Sequence, residues 1–195
     1  MKKIAIFASG EGSNAESIVN YFRTPASQAE VALIVTNRPD APVINRAERL
    51  GVEYAVITRA ELNDGVTILT LLDHHAIDIV VLAGFLLMIP SGLIERYRGR
   101  IVNIHPSLLP KFGGKGMYGN HVHEAVVAAG ERRTGITIHH VNEHYDDGAI
   151  IFQASVDVAP TDNPADVARK VRQLELTYFA PTIAQTFLVD ITQLP

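Results

Sequence analysis

Apolar positions along this chain follow two alternating rhythms. Short, nearly unbroken runs have the length and β-branched content of strands: Lys3 to Ala8, Val31 to Thr36, Val52 to Val56, Ile77 to Ala83 and Ile101 to Ile104. Between them, apolar residues recur every three or four positions. From Asn14 to Phe22, Ala15, Ile18, Val19 and Phe22 share one helical face. Pro42 to Leu50 reads as a second helix, closed by Gly51. Glu61 to His74 reads as a third, with Gly65 as a point of interruption, and Ser91 to Tyr97 as a short fourth.

Strand and helix in alternation predict an α/β protein with a mainly parallel sheet, helices on both faces and right-handed crossovers. The run from Ile77 to Ala83 is apolar enough to be buried on both sides. The last third changes character. Thr134 to Val141 and Ala149 to Val158 are two strands joined by Asn142 to Gly148, with a turn at Asp147-Gly148. An antiparallel strand is therefore expected near the C-terminus. Asn163 caps a helix with Pro164 at its first position and Val167, Val171, Leu174 and Tyr178 on one stripe. Pro181 is predicted to kink or end it.

At 195 residues the chain is long enough for one domain with a substantial core. A net charge of -4, without long runs, argues against nucleic acid as the main partner. Small anionic ligands need only local positive charge. There is no cysteine, which removes disulfides and thiolate metal sites and suits a cytoplasmic protein. The apolar run after Lys3 is too short for a signal peptide. The longest one, Ile79 to Ile89, ends at Pro90 and falls short of the roughly 20 residues that span a bilayer. No membrane partner is expected.

Ligands on parallel sheets bind beyond the carboxyl ends of the strands. Three segments fall there: Gly10 to Asn14, Gly84 to Leu87, and Asn103-Ile104-His105. Asn103 and His105 project to the same side of their strand, and Pro106 ends the ladder. An amide beside an imidazole suits acyl transfer, one holding an oxyanion and the other handling a proton. A strand end with two satisfied polar side chains is the alternative. Gly10-Glu11-Gly12-Ser13-Asn14-Ala15 leads into a helix whose free N–H groups favour a monophosphate or similar anion. It also matches the dinucleotide form G-x-G-x-x-A, but Asn37-Arg38 stands where that form wants an acid. A structural turn is the third reading.

Gly113-Gly114-Lys115-Gly116 lacks the spacing and hydroxyl of a phosphate loop and reads as a mobile surface loop. His74-His75, His121-Val122-His123 and His139-His140 lack the helical i, i+4 spacing of a zinc pair. They read as surface or hydrogen-bonded histidines. His139 stands apart, because its strand leads to the Asp146 loop. An aspartate near His105 would orient the imidazole and favour its charged form.

Taken in order, Gly12-Ser13-Asn14, Val81 to Phe85, Asn103 to Lys111, Thr134 to His139 and Tyr145 to Ile151 are highly specific. From Lys3 to about Phe187 the chain resembles the folate-dependent formyltransferases. The resemblance implies a single Rossmann-like catalytic domain over residues 1–195 and a catalytic trio of Asn103, His105 and Asp146. It places a substrate phosphate on Gly12, Ser13 and Asn14, and ribose hydroxyls on Glu175. It lines a folate cleft with Leu86, Leu87, Ile89, Asn142, Glu143, His144 and Tyr145, with Phe85 and His139 in support and no metal. The implied co-substrate is 10-formyltetrahydrofolate. The implied acceptor is the amine of glycinamide ribonucleotide, in de novo purine biosynthesis, with the protein a monomer or weak homodimer.

Three departures stand out. Asp147 occupies a position that is often glycine, Leu87 replaces a basic residue of some relatives, and Gly113 to Asn120 is longer than in shorter relatives. Family members that hydrolyse formyltetrahydrofolate carry an extra N-terminal regulatory domain. Those that formylate methionyl-tRNA carry a C-terminal nucleic-acid-binding domain. The length and charge of this chain leave no expected room for either. A nucleotide-binding regulatory module is the alternative from another class.

Overall fold

In the computed structural model, which describes residues 1–188, seven strands form one sheet. They are β1 (Lys2–Phe7), β2 (Ala29–Thr36), β3 (Glu53–Val56), β4 (Ile79–Leu82), β5 (Ile101–His105), β6 (Arg133–His140) and β7 (Ile150–Asp157). Their order is β3-β2-β1-β4-β5-β6-β7. The first five are parallel, while β6 runs antiparallel to both β5 and β7. The chain builds outward from β1 to β3, then returns to place β4 on the other side of β1. That reversal leaves a crevice beyond the ends of β1 and β4, the usual ligand position in such sheets.

Among the described residues, seven helices cover the sheet: α1 (Ser13–Phe22), α2 (Val43–Leu50), α3 (Arg59–Asp64), α4 (Val66–His74), α5 (Ser91–Arg96), α6 (Asn120–Ala128) and α7 (Pro164–Phe187). Strand alternation feeds two cores. Ile4 and Ile6 face a layer holding Ile18, Ala47, Val126 and Val171, from α1, α2, α6 and α7. Ala5 and Phe7 face one holding Leu62, Ile68 and Leu93, from α3, α4 and α5. The whole of β4 is buried, as its apolar run requires.

The predicted caps form at Asn163, which makes a capping box with Asp166 at α7, and at Gly51, which ends α2. Thr58 and Glu61 make a further capping box at α3, which starts at Arg59 rather than at Glu61. Gly65, at φ 72°, divides the predicted third helix into α3 and α4. Pro181 does not end its helix: α7 continues to Phe187. An interior proline costs about 3 kcal/mol, but burial of Phe179, Ala180 and Ile183 around it outweighs that. The helix α6 has no counterpart in the predicted elements. Its buried face is Val122, His123 and Val126, so a histidine breaks the apolar rhythm.

Candidate active site

A cleft of about 780 Å³ opens where β1, β4 and β5 end, and it gathers all three sequence segments placed there. At one end α1 begins. Gly12 precedes it at φ 72°, a conformation that favours glycine, and a Cβ there would overlap Val43 of α2. No side chain caps this helix, so the first-turn amides of Ser13, Asn14 and Ala15 are free to meet an anion. Across from them, Asn14 Nδ2 donates to Glu175 Oε2 of α7 at 3.0 Å. Asn14 Oδ1 is buried without a partner. Burial pushes the Glu175 carboxyl up, more than Asn14 and Arg172 pull it down.

The opposite wall is the Gly84–Ile89 segment. Ser9 Oγ accepts from the Leu86 N–H at 2.9 Å and donates to Asn37 Oδ1 at 2.5 Å, which fixes this segment to the end of β1. Leu86 and Met88 stand exposed on the lip, Leu87 is partly buried and Ile89 closes the floor. Phe85 packs edge-on against Phe7 at 5.2 Å. From the other side come Asn142, His144 and the exposed ring of Tyr145. Glu143 does not line the cleft. Asn142 Oδ1 accepts from the His144 N–H at 2.9 Å, a tight turn that leaves Glu143 in solvent.

Between these walls the polar groups converge. Asn103 on β5 lies opposite His139 on β6 in the antiparallel register. Their side chains meet at 3.1 Å, Asn103 Nδ2 to His139 Nε2. His139 Nδ1 lies 2.8 Å from the His140 carbonyl and must be the donor there. In the neutral ring Nε2 is then an acceptor for the Asn103 amide, so His139 decides which end of Asn103 it holds. A Cβ at Gly148 would collide with that same His140 carbonyl, so only glycine fits the loop there.

His105 is buried at the end of β5, and its Nε2 donates to the Phe112 carbonyl at 2.7 Å. Its Nδ1 lies 3.4 Å from Asp146 Oδ2, while Asp146 Oδ1 lies 3.6 Å from His139 Nε2. The Gly114 N–H donates to Asp146 Oδ2 at 2.9 Å. This contact gives the glycine-rich loop a structural task that its sequence does not reveal. Burial pushes the Asp146 carboxyl up, but His139, His105 and the Gly114 amide together hold it below its usual range. Burial pushes His105 down by more than Asp146 and the Phe112 carbonyl draw it up. Asp146 thus favours the charged form of His105, as expected, while burial of the ring opposes it more strongly. Asp147 is exposed to solvent and outside the cleft.

His123 departs from the expectation of a surface or hydrogen-bonded histidine: its position on the inner face of α6 buries it, and its Nδ1 has no hydrogen-bond partner. It lines the cleft from α6, is 7% exposed, and is pushed down first by burial and then by His105. Its neighbour His121 is exposed and packs edge-on to Tyr118 at 5.4 Å. Among the described residues, no cluster of three His, Cys, Asp or Glu is placed to hold a metal ion, and no helix is long and apolar enough to cross a membrane.

A family described as formyl transferase matches residues 2–183. The chain is 42% identical to the Arabidopsis thaliana protein named phosphoribosylglycinamide formyltransferase, chloroplastic, over 87% of this chain and 60% of that protein. It therefore spans about 60% of that plant relative's length. With the Bacillus subtilis phosphoribosylglycinamide formyltransferase the identity is 35% over 95% of this chain and 94% of the relative. The crystal structure of the Bacillus halodurans protein of the same name superposes with a TM-score of 0.87 at 34% identity, covering 96% of each chain. The chain belongs to the formyl transferase family, and within it stands with the phosphoribosylglycinamide formyltransferases.

Proposed function

We propose that this chain transfers the formyl group of 10-formyltetrahydrofolate to the amine of glycinamide ribonucleotide, giving formylglycinamide ribonucleotide in de novo purine biosynthesis. One observation carries the reading. The pair Asp146–His105, 3.4 Å apart, sits beside the Asn103 amide, midway along a cleft with free helix N–H groups at one end and an apolar lip at the other. That asymmetry suits an anionic nucleotide and a flat pterin held head to head. The relatives' names support the same acceptor and the same transferred group.

The substrate phosphate meets the turn at Gly12, the backbone amides of Ser13 and Asn14 and the Ser13 hydroxyl, and the ribose hydroxyls meet Glu175. The pterin lies along Leu86, Leu87 and Ile89, with Asn142, His144 and Tyr145 opposite. The amine attacks the formyl carbon, and charge grows on the formyl oxygen. The Asn103 amide and His105 stabilise that oxyanion. One such donor is typically worth about 3 kcal/mol of barrier. As negative charge develops beside His105, it joins Asp146 in drawing a proton onto the ring, against the burial that keeps the free ring neutral. Asp146, through water, moves the proton from the attacking nitrogen to the leaving folate nitrogen. His139 holds the Asn103 amide in register. The unit works as one cytoplasmic catalytic domain, monomeric or weakly dimeric, without metal.

The test is release of tetrahydrofolate from 10-formyltetrahydrofolate by the purified protein, with and without glycinamide ribonucleotide, in chelator. Turnover that requires the amine supports the proposal. Turnover indifferent to the amine assigns the site to hydrolysis, and turnover lost to chelator and restored by zinc overturns the metal-free mechanism.

A further inference from the structure

His123 occupies a position where the packing of α6 calls for an apolar residue. Its neighbours on the buried face are Val122 and Val126. Its ring is 93% buried, being 7% exposed, yet Nδ1 has no hydrogen-bond partner. A buried polar group left unpaired costs about 1–3 kcal/mol, and a leucine would avoid that cost. A retained orphan of this kind calls for an explanation from function or ligand. The ring lines the cleft at the wall shared with His105, on the side where α6 packs against α7. Arg172 and Glu175 of α7 line the same cleft.

The proposed reaction leaves one proton without a destination. A primary amine of this kind has a pKa of about 8 and reaches a neutral site mostly as ammonium. It must lose a proton before its lone pair can attack. Asp146 and its water are engaged in the later transfer to the folate nitrogen. We propose that His123 accepts this first proton: the substrate ammonium enters beside the ring, gives its proton to the imidazole, and becomes the free amine, and the imidazolium returns the proton to solvent before charge builds on the formyl oxygen. The inference rests on the activity proposed above.

The charged and titratable groups lining the cleft with His123 are Glu11, Arg38, His105, Lys115, Tyr118, His139, His144, Tyr145, Asp146, Arg172 and Glu175. Glu124, next to His123 on α6, is exposed on the outer side. Burial and the nearby His105 both disfavour a charge on His123. The ring therefore waits as a neutral base. A shared wall with two imidazoles also keeps both from being charged at once, so the His123 proton leaves before His105 takes one.

The experiment is the pH dependence of kcat/KM for glycinamide ribonucleotide in the full-length wild type and His123→Gln, at saturating 10-formyltetrahydrofolate. General bases of this type contribute roughly a hundredfold or more. The variant should lose on the order of a hundredfold near pH 7 and recover to within about tenfold of wild type near pH 9, where the free amine is already abundant. Folate KM should stay within about twofold of wild type. A loss equal at every pH gives His123 a structural role and overturns the inference. So does a variant with wild-type activity at pH 7. A wild type that formylates no amine overturns the proposed activity, and this inference with it. If His123→Gln does not fold, nitrogen-15 spectra of histidine-labelled wild type decide. The His123 ring signals must shift on adding glycinamide ribonucleotide without folate, and signals that stay fixed overturn the inference.

Discussion

Asp146 Oδ2 stands 3.4 Å from His105 Nδ1, while its other oxygen faces His139. One carboxylate thus joins two imidazoles from adjacent antiparallel strands. Its backbone sits at φ 53°, a strained position for a non-glycine residue, held by the Gly114 amide and the tight packing of Gly148. The neighbouring Asp147 shares none of this.

Asp146→Asn should lower kcat by roughly a hundredfold or more, whereas Asp147→Asn should leave it within about twofold. The first change also removes the charge that draws the His105 proton affinity up against burial. The acid limb of the kcat profile should then move to lower pH. Steady-state kinetics across pH 5–9 check both points. Equal losses at the two aspartates would contradict the geometry of this loop.

Asn103→Ala and His105→Ala should each cost roughly a hundredfold in kcat with little change in KM. Both groups act on charge that exists only in the transition state. The double variant should lose less than the product of the single losses, because both serve one oxyanion. A variant that keeps kcat and loses folate affinity would place its residue in binding instead.

Ser13→Ala should raise KM for glycinamide ribonucleotide by about tenfold or less and leave folate KM unchanged, since one donor among several is lost. Gly12→Val should behave differently. Its side chain would meet Val43 as well as an unfavourable backbone angle, so loss of thermal stability is expected in the absence of any ligand. A stable Gly12→Val protein with only a raised nucleotide KM would show that α2 yields at this contact.

Glu175 gives a prediction of opposite sign to Asp146. Its carboxyl is raised by burial, so ionising it costs stability as pH rises through the folded value. Glu175→Gln should therefore raise Tm at pH 8, keep it unchanged near pH 4, and weaken nucleotide binding. Thermal melts at the two pH values check this. A lower Tm at pH 8 would mean that the ionised carboxylate is held by contacts stronger than its burial. Asp146, whose carboxyl is lowered, contributes stability above its unfolded value and loses it as pH falls through the folded one.

The sheet was legible because its strands carry their own rhythm. Ile79 to Leu82 is buried on both faces and reads as such. Asn163 and Pro164 set the start of α7. Local signals failed where tertiary contacts decide. Pro181 speaks against a helix that buried neighbours sustain. His123 interrupts the apolar stripe that would have announced α6. In the site, Asn103 and His105 follow from strand parity. The contact between His139 and Asn103 follows only from antiparallel register, which no single segment encodes. Glu143 sits within a stretch that mostly faces the cleft, and only the turn at Asn142 sends it outward.

The most direct test of the central claim follows the formyl carbon itself. The purified protein is given 10-formyltetrahydrofolate labelled with carbon-13 in the formyl group, together with glycinamide ribonucleotide, and the label is traced by NMR. The account predicts that the label appears as the formamide of formylglycinamide ribonucleotide, in step with tetrahydrofolate release. Label found in free formate, with the amine left unmodified, would contradict it.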